Sequence, residues 1–168
     1  MTQTTITQEG CFDLGAKNAI NNNFSQLFSD KLDITSLTAS ATIDSSYAGK
    51  IISLDAAAGL TVTLPAASGT GYVYRFSVGT SVTSNNDIIK VANSSDVIQG
   101  VATIGASGGT STSVGTASTD DTITMNGSTN GGLKGTWIEI RDVATNLFSC
   151  SMHGVGSGSA TTPFSATV

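Results

Sequence analysis

The feature that most constrains this chain is a two-residue alternation of apolar and small polar side chains that continues through most of it. In the stretch GLTVTLPAASGTGYVYRFSVGT, from Gly59 to Thr80, the alternation runs, stops at PAASG and starts again. Successive side chains of a β-strand point to opposite faces of a sheet, so the pattern predicts two strands around a turn, each with one buried face. A chain built from such stretches has to form sheets whose apolar faces pack together.

Similar stretches follow one another from Ile34 onward, about ten residues apart, with Gly, Asn, Ser or Pro between them. No helical pattern lies between them, which excludes a parallel βα fold, and no clear internal repeat is visible. The spacing predicts an all-β fold, an antiparallel β-sandwich or a jelly-roll-like barrel. The predicted strands are Leu37–Asp44, Gly49–Asp55, Gly59–Pro65, Tyr72–Gly79, Asp87–Ala92, Asp96–Gly105, a weak strand around Val114, Asp121–Gly127, Gly135–Val143, Leu147–Gly154 and one in the C-terminal tail.

The one helical pattern precedes the strands, and Asp13 is a suitable N-cap for it. A helix this short is marginal by itself in water, so its apolar face has to be buried against something. We predict that residues 1–33 form an arm with a short amphipathic helix that binds a partner, and that residues 34–168 form the β-sandwich domain. The alternative is a helix that packs on its own β-domain as a lid. The predicted partner-binding side chains recur at i, i+4, i+7 and i+8 and share one helix face: Ile20, Phe24, Leu27 and Phe28.

Composition limits the class of partner. Charged residues make up 11% of the chain, against about 25% in a typical soluble domain. The net charge is -5, and seven Lys and Arg residues are scattered over the whole length, so there is no basic patch for phosphates and we expect no nucleic-acid partner. No apolar run approaches the roughly 18 residues of a membrane span, and the N-terminus lacks a signal-peptide pattern. We therefore expect a protein made in a cytoplasm, with no membrane partner.

Few residues could support catalysis. His153 is the sole histidine, and no nucleophile elbow accompanies it, so we expect a surface or loop residue. The closest acidic pairs are Asp120–Asp121 and Glu139–Asp142. Paired carboxylates can hydrolyse glycosides, and loop carboxylates can hold Ca²⁺, but neither pair has the sequence context of such a site. We predict a chain without a catalytic, cofactor-binding or metal site, which is not an enzyme.

The remaining candidate residues are better explained by structural roles than by binding or catalysis. Cys11 and Cys150 lie far apart and are expected to be reduced thiols packed as small apolar groups. The segment GGLKG lacks phosphate-loop spacing and predicts a hairpin turn. Trp137, Tyr72 or Tyr74 could stack on a sugar, although such aromatic residues are more often core or interface residues.

Three segments resemble parts of virion structural proteins of tailed bacteriophages, over Gly49 to Val168. They are KIISLDAAAGLTVTLPAASGTGYVYRFSVGTSVTSNNDIIKVANSSDVIQG, TITMNGSTNGGLKGTWIEIRDVATNLFSC and ATTPFSATV. The N-terminal segment NAINNNFSQLF is similar to an Asn-rich attachment helix of some phage tail and fibre proteins. The similarity lies in residues that build structure and not in catalytic ones.

Short proteins of this group look most like capsid decoration, or cement, proteins. The resemblance implies a homotrimer on the outer surface of the capsid, bound to the major capsid protein and stabilising the shell by bridging its subunits. The alternative that it leaves open is a tail, fibre or head-fibre subunit attached through the N-terminal helix. A carbohydrate-binding module is the third hypothesis.

Overall fold

The structure is a computed structural model that describes Asn18, Asn22 and residues 32–168. Asn18 and Asn22 have helical backbone and are exposed. The predicted N-cap and the four predicted partner-binding side chains lie outside the described residues. The chain divides between Leu32 and Asp33, and the unit from Asp33 to Val168 is the β-domain described below.

Twelve strands and one short 3₁₀ helix, Ser45–Tyr47, follow one another in this unit. The strands are β1 (Ile34–Leu37), β2 (Ala41–Thr42), β3 (Ile51–Leu54), β4 (Thr61–Thr63), β5 (Val73–Val78), β6 (Asp87–Lys90), β7 (Val97–Ala106), β8 (Thr112–Gly115), β9 (Thr122–Met125), β10 (Trp137–Ala144), β11 (Leu147–Gly156) and β12 (Phe164–Ser165).

These strands form two sheets. One has seven strands in the order β1-β3-β5-β10-β11-β7-β8, and the other has five in the order β12-β9-β6-β4-β2. Burial alternates along the central strands, as in β5, where Tyr74, Phe76 and Val78 are buried and the residues between them are partly exposed. Buried side chains of both sheets belong to one apolar core, which makes the fold a sandwich. Each large core side chain contributes up to about 1.5–3 kcal/mol by leaving water.

The first half of the domain winds as a two-sided coil. The chain alternates between the sheets from β1 to β6, so that β1, β3 and β5 pair in parallel in one sheet. β2, β4 and β6 pair in parallel in the other. The second half adds antiparallel pairs, including β5 with β10 and β10 with β11, and one long parallel pair between β11 and β7. In the five-stranded sheet, β9 pairs antiparallel with β6 and β12, so each sheet is mixed.

The predicted all-β fold is confirmed, and most predicted strands lie within a few residues of the observed ones. Two details differ from the expectation. The sheets are mixed, whereas the sequence favoured antiparallel pairing. The segment Leu37–Asp44 is divided between β1 and β2, because the chain bends after Leu37 and crosses from the seven-stranded to the five-stranded sheet.

Candidate functional site

Asp142, one member of an acidic pair singled out in the sequence, is buried near the end of β10. Its Oδ1 accepts hydrogen bonds from the backbone N–H groups of Ser68 and Gly69 at 3.0 and 2.7 Å. Its Oδ2 accepts the N–H and the hydroxyl of Thr70 at 3.0 and 2.6 Å. Burial alone raises the pKa of Asp142, but these hydrogen bonds outweigh burial and hold the pKa below its usual range. The carboxylate is a fixed acceptor for the loop before β5.

Glu139, the other member of that pair, lies on the opposite face of β10, because the two positions differ by an odd number of residues. It is partly exposed and bonds to Arg75 Nε and Arg141 Nη2, both at 3.0 Å. Glu139 and Asp142 therefore do not share a site. Glu139 instead forms a surface ion-pair chain on the outer face of the seven-stranded sheet.

Asp120 and Asp121, the second acidic pair, are also buried and act as backbone acceptors. Asp120 Oδ2 accepts the N–H of Ala117 at 2.7 Å. Asp121 accepts the N–H groups of Thr167 and Val168 at 2.8 and 3.2 Å, so it holds the C-terminus against β9. Burial raises the pKa of Asp121, but hydrogen bonds from Thr167, Thr122 and Val168 outweigh it and lower the pKa. The pair fixes loops instead of presenting oxygens to a substrate or to Ca²⁺.

Two further buried carboxylates were not singled out in the sequence. Asp87 Oδ1 accepts the N–H of Leu60 at 3.1 Å, and Asp96 Oδ2 accepts the N–H of Ala67 at 3.0 Å. In each, the second carboxylate oxygen is buried without a hydrogen-bond partner. Burial raises the pKa of Asp87 to about 6, against the smaller opposing effect of the Leu60 hydrogen bond. The only feature of the sequence that could have drawn attention to either residue is its position as an Asp at the start of a predicted strand.

The raised pKa of Asp87 predicts a pH-dependent stability. The folded state binds the proton more tightly than the unfolded state, so Asp87 contributes most below pH 3.8 and loses this contribution as the pH rises through about 6. Asp87→Asn keeps an acceptor for Leu60 and carries no charge. We expect the free energy of unfolding of the variant, relative to the unmodified chain, to rise by about 2–3 kcal/mol between pH 4 and pH 8. Urea unfolding followed by circular dichroism at both pH values measures it.

Asp44→Asn is the control for this prediction, because Asp44 is exposed and a hydrogen bond from Ser46 lowers its pKa. A group with a lowered pKa loses its contribution as the pH falls, so this variant should show no comparable gain at high pH. A difference between Asp87→Asn and the unmodified chain that stays flat from pH 4 to pH 8 would contradict the prediction.

The aromatic residues singled out in the sequence separate into three environments. Trp137 is 45% exposed on the outer face of the seven-stranded sheet, and its ring stacks on His153 with centroids 4.4 Å apart and planes inclined by 13°. Tyr72 is 44% exposed, but it aligns with Asp142, five positions along β10 from Trp137. Five strand residues span about 17 Å, so Tyr72 and Trp137 do not share a platform. Tyr74 is 1% exposed in the core and cannot stack on a sugar. Its prediction as a possible sugar-stacking residue was therefore wrong.

His153, expected on the surface or in a loop, is exposed in the middle of β11. Cys150, on the same strand, is a free and buried thiol, as predicted, and burial raises its pKa to about 12. A thiol with such a pKa stays protonated near neutral pH and is a poor nucleophile. Cys11 lies outside the described residues.

The segment GGLKG, Gly131–Gly135, joins β9 to β10, which belong to different sheets. It is thus a crossover and not the predicted hairpin. Gly131, Gly132 and Gly135 all have positive φ, and the carbonyl of Gly132 accepts the N–H of Val82. The glycines allow the chain to turn between the sheets, and the segment does not form a phosphate cradle.

The described residues contain no group of three or more His, Cys, Asp and Glu side chains that could hold a metal ion. In the same part of the chain, no helix combines the length and apolar character needed to cross a bilayer. What the described side chains do offer is a set of buried carboxylates that clamp loops and an exposed aromatic pair on a broad sheet. Comparison with protein-family models, curated proteins and solved structures finds no match to this chain.

Proposed function

We propose that this chain is a non-enzymatic virion structural protein of a tailed bacteriophage, a trimeric decoration protein on the outer surface of the capsid. The observation that carries the proposal is the use of its carboxylates. Among the residues that the structure describes, five carboxylates are buried, and each accepts a backbone N–H from a loop or a chain end: Asp87, Asp96, Asp120, Asp121 and Asp142. Four of these contacts join segments that lie 27 or more residues apart. Such long-range hydrogen bonds hold loops in place, which a domain that bears load on a capsid would require.

The surface supports the same proposal. Charges are depleted in the cores of protein interfaces, and this chain has few of them. Ile34, which is 69% exposed, and Val101 are apolar side chains on the outer face of the seven-stranded sheet. The sequence resemblance over Gly49 to Val168 supports a place in a virion.

The proposed mechanism is mechanical. Each copy binds several subunits of the major capsid protein, so separating those subunits also requires breaking contacts with the decoration protein. An interface of about 800 Å² per partner is enough for stable association. Trimers engage several subunits at once, and linked binding events strengthen overall attachment without any new type of contact.

A tail, fibre or head-fibre subunit is the second candidate. The similarity of NAINNNFSQLF to an attachment helix favours it, and the helical, exposed backbone positions Asn18 and Asn22 agree with the polar face of such a helix. In this case the arm inserts into the virion and the β-domain points outward.

Binding to phage heads that lack this protein tests the proposal. We expect the added protein to co-sediment with heads, to cover them densely in negative-stain images, and to scatter light in solution as three chains of 16.9 kDa. Phe24→Asp should abolish binding, because a charge on the apolar face of the arm opposes its burial. Asn22→Asp, which adds the same charge at an exposed position, should bind normally.

Several results would contradict the proposal. A monomer or dimer at micromolar concentration contradicts the trimer. A few copies at the tail or at single vertices favour the second candidate. Normal binding of Phe24→Asp means that the arm is not the anchor.

A further inference from the structure

A row of small hydroxyl side chains leads up to the exposed tryptophan on the outer face of the seven-stranded sheet. Strand register places Ser36, Ser53 and Ser77 next to one another on β1, β3 and β5. Ser77 in turn pairs with Trp137 on β10, and Trp137 pairs with His153 on β11. Neighbouring strands lie about 4.8 Å apart, so the three serines form a floor roughly 10 Å long on one side of the indole.

The stacking on His153 orients the indole. The two rings are cross-strand neighbours and nearly parallel, so the imidazole covers the face of Trp137 that points to β11. The other face points to β5, where its neighbour is Ser77, whose side chain is too short to cover a ring. The exposed indole therefore forms a wall, and the serine row forms the floor of an open groove beside it.

Polar groups lie along this groove. The Asp55 carboxylate accepts a hydrogen bond from the Ser36 hydroxyl at 2.5 Å. Asp55 Oδ1 and Ser53 Oγ both lie over Gly79, where a Cβ atom would overlap them, so the glycine makes room for these two polar atoms. In the adjacent row, Arg75 is already paired with Glu139.

We propose that this groove binds a pyranose ring of a neutral oligosaccharide. The apolar C–H face of the sugar packs on the free face of the indole at van der Waals distance, about 4 Å, and this places the ring above Ser77. Its hydroxyl groups then exchange hydrogen bonds with Ser77, Ser53 and Asp55. A neutral sugar fits better than an anionic one, because Asp55 lies in the groove and the guanidinium of Arg75 is neutralised. This inference does not depend on the proposed virion role.

The chain provides its own reporter, because Trp137 is its only tryptophan. The full chain is titrated with maltoheptaose, cellohexaose and mannohexaose, and with hexagalacturonate as an anionic comparison. We expect a saturable change in indole fluorescence with at least one neutral oligosaccharide, at a dissociation constant of about 0.1–1 mM, and a weaker response to the anionic one.

Two matched variants locate the binding site. Ser77→Leu fills the floor of the groove and leaves Trp137 in place, and it should weaken binding at least about tenfold. Ser151→Leu adds the same side chain on the same sheet face but on β11, opposite Glu139, and should change binding less than about twofold. Circular dichroism checks that both variants fold.

Each of three results would overturn the proposal. These are no saturable change with any of the neutral oligosaccharides up to about 10 mM, equal binding by Ser77→Leu and the unmodified chain, and preferential binding of hexagalacturonate. Calorimetry with Trp137→Ala, whose fluorescence is lost, provides an independent check and should detect no binding.

Discussion

Replacing Gly100 with alanine is expected to destabilise the β-domain by about 3–5 kcal/mol, the largest effect of any substitution considered. Gly100 lies on β7 and pairs with Cys150 on β11. A Cβ atom there would overlap the carbonyl oxygen of Cys150 and lie 2.7 Å from its carbonyl carbon. Because these atoms belong to the backbone of a central strand, they cannot move aside as a flexible side chain can. The two strands would have to separate within the longest parallel pair of the sheet.

Gly105→Ala is the matched control, because Gly105 also lies on β7 and also pairs with β11, where its partner is Val155. Its added Cβ would meet only the carbonyl oxygen of Gly154, at 3.9 Å, an ordinary contact distance. Neither glycine has a positive φ, so the comparison isolates the steric effect. Urea unfolding followed by circular dichroism measures both variants. If Gly100→Ala is insoluble while Gly105→Ala is soluble, the result agrees with the prediction. If the two variants have the same free energy of unfolding within about 0.5 kcal/mol, the prediction is contradicted.

Asp142→Asn is expected to destabilise the domain by about 2–4 kcal/mol at pH 7. The carboxylate accepts four hydrogen bonds from Ser68, Gly69 and Thr70. An amide has only one acceptor oxygen, so at least one backbone N–H of this loop loses its partner on the buried side chain. Because the pKa of Asp142 is lowered in the folded state, its contribution is present above its unfolded pKa near 3.8 and is lost as the pH falls through the lower folded value. The stability difference between variant and unmodified chain should therefore shrink at acid pH.

Glu139→Gln provides the comparison for Asp142→Asn. It also neutralises a carboxylate on β10, but this one forms partly exposed ion pairs with Arg75 and Arg141. Such pairs contribute about 0–1 kcal/mol, so Glu139→Gln should be nearly neutral. Thermal unfolding at pH 7 and at pH 3 distinguishes the two. If both variants lose the same stability at pH 7, Asp142 is not the anchor of its loop.

The sequence predicted the strands well, because the alternation that marks them is local. The buried side chains Tyr74, Phe76 and Val78 follow directly from the two-residue period of β5. The same pattern does not indicate which strands pair, since it specifies which face of a strand is buried and not its neighbour. That is why parallel pairing of β1, β3 and β5 was not predicted.

The sequence also did not reveal that the first half of the domain winds as a coil, because successive windings of the coil differ in length. Along the seven-stranded sheet, Ile34 aligns with Ile51 and Ile51 with Arg75, which are 17 and 24 residues apart. Loops of different length between the strands remove any fixed period from the sequence. The equivalence of successive windings is visible only in the strand register of the sheet.

The roles of the acidic residues could not be predicted for a similar reason. Neighbours in sequence suggested the pairs Asp120–Asp121 and Glu139–Asp142. Their actual partners are distant in sequence: Thr70 and Asp142, for example, are 72 positions apart. A hydrogen bond of this kind depends on how two distant segments approach each other in the fold. The local sequence around either residue does not indicate that approach.

By itself the sequence determined the all-β class, the positions of most strands, the side chains that face the core and the burial of Cys150. These properties depend on the alternation and on the polarity of each residue with its immediate neighbours. Only the tertiary structure decided the strand order, the carboxylate clamps and the groove in which Ser36, Ser53 and Ser77 lead to Trp137. The physical reason is that each of these brings together residues far apart in the chain, and such contacts form only when whole sheets assemble around a common core.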